Sequence, residues 1–100
     1  MATTPTAFFR GAATTTLTTP LATVTTGKTW IVTEVVVTNE AAAAATFDIS
    51  FDGVKMFKAM AIAANTTMVI DLKQVLASTK VITGGASAVT VDFHIVGVEL

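Results

Sequence analysis

The chain contains no cysteine and no tyrosine, and only 13% of its 100 residues are charged. Without cysteine there is neither a disulfide scaffold nor a thiolate zinc site. The shortage of charge, alongside 20 threonines and 13 valines, excludes a disordered chain. Disordered segments are rich in charge and poor in β-branched residues. A formal net charge of −1 gives no broad attraction for nucleic acid or an acidic membrane surface, so neither is expected as a partner. Long apolar runs are missing as well. A membrane-spanning helix needs ~20 consecutive apolar residues. The longest candidates, Val35 to Val37, Ala41 to Ala45 and Met56 to Ala64, are short or broken by Lys58. Met1 to Arg10 lacks a basic segment leading into an apolar one, so no secretory signal is expected.

What the chain does have is 52% hydrophobic residues and a mean hydropathy of +0.70. Its length fits one domain with one core. With so few charges, much of the surface must be threonine, alanine and valine. Such a surface suits burial against other protein subunits.

Alternation with period two dominates and predicts strands. Thr29 to Asn39 places Ile31, Thr33, Val35 and Val37 on one face and Trp30, Val32, Glu34, Val36 and Thr38 on the other, as in a central strand. Ala45 to Asp52 turns Phe47, Ile49 and Phe51 one way and Thr46, Asp48, Ser50 and Asp52 the other. Thr66 to Leu72 and Ser87 to Val96 alternate likewise, the latter through Val89, Val91, Phe93 and Ile95. Asp52-Gly53 is a strong hairpin signal, because both positions of a type I′ turn need positive φ. It predicts that Val54 to Lys58 folds back on Ala45 to Phe51. Ala63-Ala64-Asn65 and Gly84-Gly85 read as further turns, and Gly97 as a bulge. Weaker strands are expected around Thr6 to Arg10, Thr14 to Thr18 and Leu21 to Thr25. Leu72, Val75 and Leu76, spaced i, i+3 and i+4, predict one helical turn near 72–77, with Asp71 placed to cap it. The expected architecture is all-β: an antiparallel β-sandwich or jelly roll of about eight short strands. Residues 1–12 form an N-terminal arm or edge strand, and 13–100 the single sandwich domain.

No enzyme is expected. Nucleophilic catalysis needs a nucleophile beside a base, and the one histidine, His94, reads as a surface or interface residue in mid-strand. The seven acids, Glu34, Glu40, Asp48, Asp52, Asp71, Asp92 and Glu99, are spread singly. Asp48 and Asp52 share a strand face roughly 13 Å apart, too far for one calcium or a retaining carboxylate pair. Both are expected on a solvated outer face. No glycine-rich loop precedes a helix, so there is no phosphate cradle. No catalytic, cofactor or metal-binding residue is assigned, and no cofactor is expected. The candidate interface residues are Phe8, Phe9 and Arg10, an aromatic pair with a neighbouring cation, and Trp30. For Phe8 and Phe9 the other reading is an edge strand that packs one phenylalanine inward. Trp30 offers a sugar-stacking face as its alternative.

Five segments together carry a family resemblance. They are Lys28 to Asn39 (KTWIVTEVVVTN), Thr46 to Val54 (TFDISFDGV), Ile62 to Thr67 (IAANTT), Ile70 to Leu76 (IDLKQVL) and Val91 to Glu99 (VDFHIVGVE). In this order they resemble the small Thr- and Ala-rich structural proteins of tailed bacteriophages and prophages. The resemblance covers residues 10 to 100; Glu34 and the Lys55 to Lys58 return depart from the pattern. It implies a virion protein made in the bacterial host cytoplasm. The expected role is an accessory protein that decorates and cements the capsid. Its expected partners are its own copies, as a trimer, and the major capsid protein. The alternatives are a tail- or fibre-associated module that binds a host-surface glycan, or a tail or connector subunit.

Overall fold

Burial alternates along most of the extended segments, as expected where β-branched residues stand on a sheet with one face on a core. The computed structural model describes residues 3–100. Its eight strands are β1 (Thr4–Ala12), β2 (Thr19–Thr23), β3 (Trp30–Asn39), β4 (Ala45–Phe51), β5 (Val54–Ile62), β6 (Thr66–Leu76), β7 (Val81–Ala86) and β8 (Val91–Glu99). They form two four-stranded antiparallel sheets, ordered β1-β8-β3-β6 and β2-β7-β4-β5. The pairings are nested: β4 with β5, β3 with β6, β2 with β7 and β1 with β8. A chain doubled into one long hairpin and then rolled gives this order, which is that of a jelly roll. The tip of the hairpin is Asp52-Gly53, with φ of 54° and 75°.

The inner faces meet in a core that includes Val35, Val37, Phe47, Ile49, Phe93 and Ile95, all without solvent exposure. The rings of Phe47 and Phe93 meet edge to face with centroids 6.0 Å apart, which joins the two sheets.

Several local expectations change. The segment near 72–77 is not a helical turn but the end of β6, paired to β3 from Asn39↔Thr66 to Trp30↔Leu76. Leu72 and Leu76 share a face in a strand as well as in a helix, so their spacing does not separate the two. Val75 does, because it points outward and is 70% exposed. Gly84-Gly85 is not a turn but a buried part of β7, in its second half. A Cβ at Gly84 would lie 2.6 Å from the Asp48 carbonyl oxygen, and one at Gly85 would strike the Thr16 carbonyl. Thr14 to Thr18 is not a strand; it is the connection that crosses over Gly85. Gly97 is not the bulged residue. The extra residue relative to β8 is Thr33, since Val32 faces Gly97 and Glu34 faces Val96. Gly97 is required because a Cβ there would collide with the Ile31 carbonyl oxygen. The bulge resets the phase of β3, so Trp30 and Val32 point inward, and so do Val35 and Val37. Val89 lies in the turn before β8 and is 62% exposed.

Asp48 is also not on a solvated face; it is buried. The β5 register slips from Phe47↔Met60 to Ile49↔Phe57, and the extra residues Lys58 and Ala59 bulge across Asp48. The Asp48 carboxylate accepts bonds from Lys55 Nζ at 2.6 Å and the Ala59 N–H at 2.9 Å. These partners fix Ala59 at a φ of 47°, a left-handed conformation costly for a residue with a Cβ. Asn39, fully buried, ties three loops together at one end of the sandwich. Its Nδ2 donates to the carbonyls of Ala43 (2.8 Å) and Ala63 (3.3 Å), and its Oδ1 accepts from the Ala41 N–H (3.1 Å) and the Thr90 hydroxyl (3.4 Å).

Candidate interaction surface

The predicted anchor residues separate into inward and outward members. β1 bulges at Phe8, between Ala7↔Val96 and Phe9↔Ile95. The bulge lets two consecutive residues, Phe8 and Phe9, both pack against the core. Phe8 lies flat on Trp30, with centroids 4.1 Å apart and planes 18° apart. Trp30 is 6% exposed, and its indole N–H donates to Glu99 Oε2 at 2.9 Å. The Phe8 and Trp30 rings cover one end of the sandwich, while Phe9 lies further along, in the row of Ile95 and Val35. Arg10 is the member left on the surface, where its Nε donates to His94 Nδ1 at 3.2 Å. That bond requires Nδ1 to carry no proton.

Arg10 and His94 belong to the outer face of the β1-β8-β3-β6 sheet. The registers define its cross-strand rows. One row is apolar across all four strands: Pro5, Val98, Ile31 and Val75. A second row holds Ala7, Val96, Glu34 and Asp71, and a third holds Arg10, His94, Val36 and Val69. The fourth runs through Ala12, Asp92, Thr38 and Thr67, where the two threonine hydroxyls bond at 3.1 Å. A shallow groove of about 350 Å³ lies between Pro5, Ala7, Thr33 and Val96, with Arg10 on its rim. At the end of the face, the Asp92 carboxyl shares a hydrogen bond with Glu40 and repels its charge, which raises the Glu40 pKa above the ordinary carboxylate value. The Asp48 pKa moves the other way, held down first by the bond from Lys55.

The outer face carries mixed charge around a valine-rich strip. Val69 and Val75 on β6 are 60% and 70% exposed. On the second sheet, Val54, Met56 and Met60 of the edge strand β5 are exposed as well. The alternation of Thr66 to Leu72 sets Val69 on the outer face with Thr67 and Asp71, where the structure has it; Val75 is the surface residue that sequence reasoning missed. The same alternation continued past Leu72 is the signal for it, but the spacing of Leu72, Val75 and Leu76 fits a helical turn equally well. No family model matches this chain, and no curated protein matches it either.

Proposed function

We propose that this chain is a non-enzymatic structural protein of a tailed-phage virion, an accessory subunit that oligomerises on the capsid surface and cements its neighbours. The observation that carries the reading is the surface. Large aliphatic side chains stand in solvent on both sheets, Val54 at 71% and Val75 at 70% exposure, in a chain with few charges. Exposed apolar area of this kind is stabilised by a protein partner. A jelly roll serves such a role well, because its tightly connected core leaves strand edges and sheet faces for contact. The order of sequence segments that resembles phage structural proteins supplies the setting.

The aromatic side chains weigh against the glycan-binding alternative. Trp30 is buried beneath Phe8, and Asp48 is engaged by Lys55, so neither forms an open sugar platform. The test is immunogold electron microscopy of the phage particles made by the cell that encodes the chain. Gold on the heads is the expected result. Gold on tails alone, or on no particle, overturns the capsid role.

A further inference from the structure

The four edge strands are unequally protected. β1 carries Pro5 and the bulge at Phe8; β2 has five residues, with Pro20 and a register shift beside Leu21. β5 is bent by the Lys58-Ala59 bulge and carries Lys55 and Lys58. Prolines, lysines, bulges and short length are the devices that stop edge strands from pairing with other chains. β6 is the longest strand, with 11 residues and no proline, glycine or positive φ. Its burial alternates without a break from Thr66 to Leu76, although Leu72 and Lys73 together stand opposite the single Thr33 of β3. Only Lys73 could act as a deterrent, and Asp71 stands two residues away on the same exposed face.

We propose that β6 pairs antiparallel with β6 of a second copy, about a two-fold axis through Leu72. In this register Asp71 lies opposite Lys73 of the second copy, and Lys73 opposite its Asp71. Val69 lies opposite Val75 of the second copy, and the reverse pair repeats across the axis. On the inner side Leu72 meets its own copy, and Met68 meets Leu76. Every exposed side chain from 69 to 75 thus meets a complement, charge with opposite charge and valine with valine. Directly opposed unlike charges and β-branched pairs stabilise antiparallel strands, whereas opposed like charges destabilise them. Other in-plane registers lack this match: a shift of two residues sets Asp71 against Asp71 or Lys73 against Lys73. The contact joins two four-stranded sheets into one of eight and covers Val69 and Val75. Being isologous, it closes at two copies, so it is a different contact from any three-fold one.

Charge reversal tests the register. The mass of the chain is followed by light scattering over a concentration series. The wild type is expected to form pairs of the 10.3 kDa chain. Asp71→Lys alone places like charges opposite each other twice, and Lys73→Asp does the same. Each is expected to weaken self-association about tenfold or more. An equimolar mixture of the two variants, and the double variant D71K/K73D, are both expected to restore it. Circular dichroism confirms folding; if a reversal does not fold, D71N and K73Q replace it and each is expected to give a smaller loss. A wild type that stays monomeric, or an assembly whose mass neither reversal changes, overturns the β6 contact. Neither outcome bears on the immunogold result, so the two proposals fail separately.

Discussion

Asp48 and Asn39 are two polar side chains that the fold buries deliberately, each because it satisfies backbone groups that nothing else reaches. Asp48→Ala frees the Ala59 N–H and leaves the left-handed Ala59 without its anchor. A loss of about 1–2 kcal/mol is expected in denaturant unfolding. The cost stays modest because only Lys55 and the bulge cover the carboxylate, so Lys55 rehydrates. The pH dependence has a definite sign. The folded Asp48 pKa lies below its ordinary value, so its contribution is fully present above about pH 4 and lost as pH falls through the folded pKa. Acid titration of the melting temperature should therefore show a step that is absent from Asp48→Ala. Asn39→Ala strands the carbonyls of Ala43 and Ala63 in a buried corner. It should cost about 2–3 kcal/mol and speed amide hydrogen exchange in the three loops at that end.

Among the elements, β3 and β8 depend on a matched pair of irregularities: Thr33 adds a residue and Gly97 withholds a side chain. Gly97→Ala forces a methyl group against the Ile31 carbonyl, with about 1–3 kcal/mol of destabilisation expected by thermal or chemical melting. Here lies the limit of what the sequence made legible. Phe47, Ile49 and Phe51 alternate without interruption, and Asp52-Gly53 can hardly be anything but a hairpin tip. Both follow from local chemistry. Thr33, Phe8 and the Lys58-Ala59 bulge carry no local signature, because a bulge is set by the neighbouring strand. Gly84-Gly85 is written like a turn, yet its need for small residues comes from Thr16 and Asp48, remote in sequence. The charge pair on β6 was visible in Asp71 and Lys73. It acquired meaning only once β6 proved to be an edge. The stacking of half-buried Phe8 on buried Trp30 likewise depends on two strands, β1 and β3, that no local pattern brings together.

At the scale of the whole molecule, the nested topology sets the folding kinetics. Among the strand pairings only β4 with β5 is local; β3 with β6 spans more of the chain, and β2 with β7 and β1 with β8 join its opposite ends. Closing such separations before their contacts form is costly in entropy. Stopped-flow refolding followed by Trp30 fluorescence should fall in the millisecond to second range typical of β-sandwiches. Because Trp30 lies at the β1-β8-β3 end, its burial should report the last part of the roll to close. A microsecond phase that carries the full amplitude would contradict this order.

The same nesting places Thr4 directly opposite Glu99. Both ends of the described chain therefore lie side by side at one end of the sandwich, and the Asp52-Gly53 tip is a solvent-exposed loop at that same end, where the Asp52 N–H donates to the Val81 carbonyl just beyond the end of β6. A short linker between the ends, with the chain opened at that tip, would preserve all eight strands and every pairing between the sheets. Permuted in this way, the protein becomes a scaffold whose new ends emerge from the hairpin tip, so that a fused peptide would be displayed from the Trp30 end and away from the loops tied by Asn39.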